Sequence, residues 1–182
     1  MATVLVGFGA YGLAAGSSLT VSYLVIVGAG ALVVGVVDRR AGFSRVALVG
    51  LAAWGAGHLA GGIVELDGER ILYNALLPGR IHLDNVVHFV GFGAAGLACW
   101  EALTRRRWSL SAVGTWFGVW LLAMGVGALN EVIEFGITHV QAETQIGGYQ
   151  NTGRDLVANM LGGALAGVIA ARRPRSGDRP RA

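Results

Sequence analysis

The sequence predicts an all-α protein, a polytopic bundle of transmembrane helices, and three observations carry that prediction. Only 14% of the 182 residues are charged and 54% are hydrophobic, whereas an ordinary soluble domain has roughly 25% charged residues. Residues 2–37 contain no charged side chain at all, a run well beyond the ~20 residues that cross a hydrocarbon core of about 30 Å. Four further apolar stretches follow, each about as long as one crossing. A pI near 9.6 would point to nucleic acid in a soluble protein, but here the arginines have a different role.

The first run is too long for one helix, because at 1.5 Å per residue it would extend about 54 Å. "GSS" at 16–18 offers a turn, so the run divides into helices at 2–15 and 19–37. The remaining spans fall at 46–64, 82–103, 108–130 and 154–171. That makes six spans in a single transmembrane domain, residues 1–171. No basic segment precedes the first run, so it does not read as a cleaved signal peptide. The lone Cys99 permits no intrachain disulfide and reads as a small apolar filler.

Orientation follows from the arginines; lysine is absent. Arg39, Arg40, Arg45, Arg105, Arg106 and Arg107 fall on one side of this arrangement, with the five arginines of the C-terminal tail. Only Arg70, Arg80 and Arg154 fall on the other. Positive charge accumulates in cytoplasmic loops, which places both termini in the cytoplasm. Trp100 and Trp108 flank the "TRRR" loop as an interfacial aromatic belt would. The tail, residues 172–182, is too polar and proline-broken to pack and reads as a disordered anchor drawn to anionic lipid.

The acids sort the opposite way. Only Asp38, Glu101 and Asp178 lie on the arginine side, while eight acids and all four histidines lie at or just beneath the outer face. Asp84 and His88 are four residues apart and share a helix face. Asn130 and Glu134 share a face at the outer end of the fifth span, next to Glu131. Asp155 and Asn159 repeat the four-residue spacing in the last span. His58 lies in the outer half of the third span, and Arg80 and Arg154 each precede an Asp-led helix.

Each feature also has a structural reading. Asp84 and Asp155 near helix N-termini complement the helix dipole by about 0.3–1 kcal/mol, and Thr152 with Asp155 resembles a capping box. Glu65, Asp67, Glu69 and Glu143 read as solvated loop charges, and His82 and His139 as interfacial. Capping does not account for His58, His88, Glu134 or Asn159. Polar groups at such depth face a bundle interior or a wet cavity and pair with one another. A shared functional site and a purely structural hydrogen-bond network both fit.

"DNVVHFVGFGAAG" and "DLVANMLGGALAG" both read Asp-x3-His/Asn-x2-Gly, which suggests a repeated helical hairpin with a site at its interface. Gly163 and Gly167 form a GxxxG pair suited to close helix approach.

"HLAGG" (58–62), "RIHLDNVVHFVGFG" (80–93), "WEALTRR" (100–106), "NEVIEF" (130–135), "ETQ" (143–145) and "RDLVANMLGG" (154–163) together resemble the YjdF-type bacterial inner-membrane proteins over roughly residues 50–165. More distantly, the Asp-x3-His-Phe and Asp-x3-Asn-x2-Gly elements resemble VanZ-like proteins, associated with glycopeptide-antibiotic tolerance. The resemblance implies a multi-helix membrane fold and marks Asp84, His88, Asn130, Glu131, Glu134, Gln145 and Asp155 as characteristic positions. After Gln145 this chain departs from the pattern, reading "IGGYQNTG" where an acidic, Trp-containing stretch is expected.

Three functions fit these residues. In a membrane-embedded enzyme acting on a lipid-linked or cell-envelope substrate, Asp84, His88, Glu131, Glu134, Asp155 and Asn159 form the catalytic set. His58, Arg80, Asn130, Gln145 and Arg154 are then ligand-binding candidates, the arginines holding an anionic head group. A metal-dependent variant would use His58, His88, Glu131 and Glu134, but their spacing matches no standard ligand motif and no metal is assigned. A non-catalytic subunit that binds a lipid or antibiotic, senses, or assists assembly fits equally. A transporter fits less well, because the cytoplasmic half is nearly bare of polar groups. The expected partners are membrane lipids and an anionic lipid-linked ligand, not nucleic acid.

Overall fold

The computed structural model describes residues 1–66, 70–79, 81–104, 110–140 and 148–173. Among them are six α-helices: α1 (Ala2–Ala15), α2 (Thr20–Ala41), α3 (Arg45–Ile63), α4 (Leu83–Thr104), α5 (Ala112–Val140) and α6 (Tyr149–Ala171). Five, α2 to α6, are long and apolar enough to cross a membrane. α1, with 14 residues, is about 21 Å long, short of a full crossing.

The division of the N-terminal run into two helices is observed, and its cause is local. Gly16 takes a left-handed conformation (φ 72°) that ends α1, a geometry glycine adopts without steric cost. α3 begins at Ser44, whose hydroxyl accepts the Ala47 backbone N–H at 3.2 Å, an N-cap.

Two boundaries differ from the sequence reading. α5 continues ten residues past 130, and α6 begins at 149 rather than 154. Hydropathy ended both spans where polar residues start, whereas the backbone continues because those side chains face other helices. The proposed Thr152–Asp155 capping box is therefore not formed: the N-cap is Gly148, and Asp155 lies in the second turn. The chain is also not purely helical. Residues 64–82 carry a 3-10 turn (Leu72–Asn74) and a two-stranded antiparallel ribbon, β1 (Leu76–Leu77) with β2 (Ile81–His82).

α4 and α6 are the most enclosed helices and α2 the least. α4, α5 and α6 pack on one another, α3 covers α4, and α2 and α1 follow outward. α4 and α6 run side by side in the same direction, since Asn85 meets Asp155 and His88 meets Asn159 one turn on. Their crossing is close: a Cβ on Gly162 would lie 2.0 Å from the Phe89 carbonyl oxygen, and one on Gly93 2.7 Å from that of Gly162. Only glycine allows backbones this near. Leu32, Val33, Val113, Val132 and Phe135 are exposed, the expected outer surface of a bundle whose solvent is hydrocarbon.

The two ends of the bundle differ. At one end lie Arg39, Arg40, Arg45, Arg172 and Arg173. There Arg173 pairs with Glu101 and donates to the Ser44 hydroxyl at 3.0 Å, while the Ser44 backbone N–H donates to Glu101 at 2.8 Å. This clasp ties α3, α4 and α6. Above it sits a dry cluster of Ala47, Leu97, Val119, Ala166 and Ala170. Among the described residues, Asp84, Glu131, Glu134, Asp155 and the histidines lie toward the opposite end.

Candidate functional site

His88 is the centre of that opposite end. It lies about 7.5 Å along α4 from the helix start and is 4% exposed. Its Nδ1 is 3.2 Å from Asn159 Oδ1 and 3.7 Å from Glu131 Oε1, and its Nε2 is 3.6 Å from Asp84 Oδ1. Three helices therefore converge on one imidazole: α4 supplies His88 and Asp84, α5 supplies Glu131, and α6 supplies Asn159.

A second layer of amides holds the carboxylates nearer the helix ends. Asn151 Nδ2 donates to Asp84 at 3.2 Å and to Asp155 at 2.5 Å, and Asn85 Nδ2 donates to Asp155 at 2.8 Å. Asn85 Oδ1 in turn accepts the His82 backbone N–H at 3.1 Å, which also caps α4 in the manner of half a capping box. Asp155 is wholly buried yet both its oxygens accept hydrogen bonds. On α5, Asn130 Nδ2 donates to Glu134 at 2.6 Å.

Glu131 is different. It is 8% exposed, and neither carboxylate oxygen has a hydrogen-bond partner among the described residues. Asn130 and Thr152 lie beside it as potential donors, outside hydrogen-bond geometry. Asn159 is fully buried with its Nδ2 likewise unpartnered. A buried ionised carboxylate costs several kcal/mol unless paired, hydrogen-bonded or bound to a metal. Two sets bring their ligand atoms within 4.8 Å of one another: Asp84, His88 and Asp155, and His88, Glu131 and Glu134.

The remaining candidates separate. His58 does not join the set on His88. Its ring is stacked on Trp54 at 5.1 Å, with Tyr23 at 5.0 Å and Tyr73 edge-on at 5.6 Å. The Tyr73 hydroxyl and His58 Nδ1 share a hydrogen bond. Tyr73 lies outside the α-helices, and burial pushes its hydroxyl well above the usual tyrosine range, so it stays protonated. Arg154 is exposed, and no ion pair joins it to Asp155. Arg80 and Gln145 lie outside the described residues.

Sequence reasoning missed Asn85 and Asn151 as partners of the two aspartates, and the aromatic enclosure of His58. Asn151 was findable, because it precedes Asp155 by the same four residues that separate Asp155 from Asn159. Nothing in the sequence signals Tyr23, since it comes from a distant helix.

These features define a helical membrane protein with several spanning-length helices and a polar cluster at one end of the bundle. The family profile described as "Predicted membrane protein (DUF2238)" matches residues 1–176. The chain belongs to that family. No curated protein and no solved structure matches it.

Proposed function

We propose that this chain is a membrane-embedded enzyme that transfers protons at the His88 cluster while acting on a lipid-linked or envelope substrate. The observation that carries this reading is Glu131, a buried carboxylate without a hydrogen bond, next to a histidine whose other nitrogen faces Asp84. An imidazole with a carboxylate on each side can accept a proton at one nitrogen and release one at the other. A structural network alone would satisfy its buried acceptors, as the Asn85 and Asn151 amides do for Asp155. Arg154, exposed in the first turns of α6, is available to an anionic head group, a role shared with Arg80 in this reading.

The arrangement we propose has six spans, α1 completing a shallow one, with both termini in the cytoplasm of an inner (plasma) membrane. The five described arginines at the clasped end support it through the positive-inside rule. α4 and α6 then act as the matching members of a repeated hairpin, which supports the more distant likeness to VanZ-like proteins and a substrate in the envelope.

A second reading, a binding or assembly subunit, draws support from the amide cross-links between α4 and α6, which by themselves do no chemistry. The apolar cluster and the Arg173–Glu101 clasp at the other end favour these readings over transport.

The test is complementation. A deletion strain is profiled by lipidomics and envelope-antibiotic sensitivity, then supplied with wild type, His88→Ala or Glu131→Gln. The reading expects both variants to reach the membrane at normal levels and to restore nothing. Restoration by Glu131→Gln would remove the enzyme.

A further inference from the structure

The geometry points to a divalent transition-metal site formed by His88 Nδ1, Glu131 and Glu134, with the Asn159 carbonyl oxygen as a fourth donor. It deepens the reading above and rests on it for what the ion does, though not for whether the ion binds.

The donors are already gathered. Ligand atoms of His88, Glu131 and Glu134 lie within 4.8 Å of one another. Two donors each about 2.0–2.2 Å from a tetrahedral ion are about 3.3–3.6 Å apart. His88 Nδ1 and Glu131 Oε1 are 3.7 Å apart, too long for a hydrogen bond and close to that ligand–ligand edge. Asn159 Oδ1, at 3.2 Å from the same nitrogen, completes a compact face.

The independent sign of a missing cation is Glu131 itself. It is more than nine-tenths buried, its two oxygens have no hydrogen-bond partner among the described residues, and Oε1 lies 3.7 Å from the imidazole Nδ1. The second set, Asp84 with Asp155, lacks this sign, because Asn85 and Asn151 donate to both Asp155 oxygens and to Asp84 Oδ2. Asp84 instead faces the opposite ring nitrogen at 3.6 Å. A metal-bound histidine commonly donates its other N–H to a carboxylate, which fixes the ring. Asp84 has that position, so it is a positioning residue rather than a ligand.

One nitrogen and several oxygens suit Zn2+ or Mn2+ better than a thiolate-seeking ion. Cys99 lies toward the other end of α4, away from the cluster.

The experiment uses the full chain in detergent micelles. The protein is stripped with a chelator, loaded with Zn2+ or Mn2+, separated from free ion, and assayed by elemental analysis and by thermal unfolding. One ion per chain is expected, with a higher unfolding temperature. Glu131→Gln and Glu134→Gln should each weaken binding by tenfold or more, Asp84→Asn by about 10–100-fold through the ring, and Glu65→Gln, at an exposed site, should leave it unchanged. His88→Ala is informative only if it remains helical and monodisperse; the two glutamine variants decide the matter otherwise. Folded wild type that retains no ion overturns the proposal, as does equal binding by Glu131→Gln, the mark of adventitious metal. Binding that needs Asp155 but not Glu134 overturns it too. A chain without metal whose complementation still requires Glu131 keeps the acid–base site and loses the ion. A chain with metal whose variants complement fully keeps the ion and loses the enzyme.

Discussion

Gly162→Ala tests the contact on which the polar cluster depends. A methyl at Gly162 would lie 2.0 Å from the Phe89 carbonyl oxygen, whereas ordinary contact begins at 3.4 Å, a shortfall of about 1.4 Å. The obstructing atom is backbone inside α4, so no rotamer change relieves it, and α4 and α6 must move apart. Forced overpacking costs about 1–3 kcal/mol. The same movement stretches the His88–Asn159 and Asn85–Asp155 contacts, now 3.2 and 2.8 Å, beyond bonding range. Interhelical hydrogen bonds in membranes average about 0.6 kcal/mol each. Against this, alanine is the better helix former by about 1 kcal/mol. The net expectation is a loss of about 1–3 kcal/mol. It is measured by titrating micellar protein with a denaturing detergent and following helicity by circular dichroism. Gly136→Ala, where nothing lies within 4 Å, is the control and should be neutral or slightly stabilising. If Gly162→Ala unfolds at or above the wild-type midpoint, the close crossing is wrong, and with it the alignment of His88 and Asn159.

Asn151→Ala removes the donor shared by Asp84 and Asp155; a loss of about 1–3 kcal/mol in the same titration is expected, and no change would mean the amide is incidental. Arg173→Ala opens the clasp at the basic end, where Glu101 keeps its bond from the Ser44 N–H; a smaller loss, about 1–2 kcal/mol, is expected because Arg173 is a third exposed. In a Cys99→Ala background, Leu76→Cys should react with an impermeant maleimide on intact spheroplasts and Ser111→Cys only after lysis, and the reverse pattern would invert the orientation. Tyr73→Phe deletes the hydrogen bond to His58 while keeping the ring packing, so it should cost about 1 kcal/mol and leave metal content unchanged.

The helices were legible because apolar runs of the right length leave little choice in a bilayer. The segregation of arginine from carboxylate and histidine was legible for a similar reason, since charge is tolerated only near or beyond the spans. The pairing of Asn130 with Glu134 follows from a four-residue spacing and is found as a hydrogen bond. The sequence groups His58 with the shared cluster because a histidine inside a span needs polar company. That company turned out to be Tyr73 and an aromatic enclosure. The sequence could not distinguish these outcomes, because Tyr73 reaches His58 only through the fold, with Ile71 and Tyr73 buried among Tyr23 of α2, Trp54 of α3 and Val87 of α4.

The misplaced boundaries of α5 and α6 carry the larger lesson. Hydropathy treats Glu131 and Glu134 as the end of a span, yet Val132, Ile133 and Phe135 at the same level are exposed on the outside of the bundle. Side chains as apolar as these belong in lipid, so the hydrocarbon reaches that level while the two glutamates face inward. α5 rises about 28 Å from its start to Glu131, close to the full thickness of the core. A carboxylate there is neither a loop charge nor a cap. The two aspartates meet that cost with amides from α4 and α6. Glu131 makes no hydrogen bond among the described residues and stands 3.7 Å from His88, too long for a hydrogen bond and short enough to share a cation. The same carboxylate that a hydropathy profile discards as a helix end therefore has no hydrogen bond among the described residues, and the chemistry of this end of the bundle turns on what fills that gap.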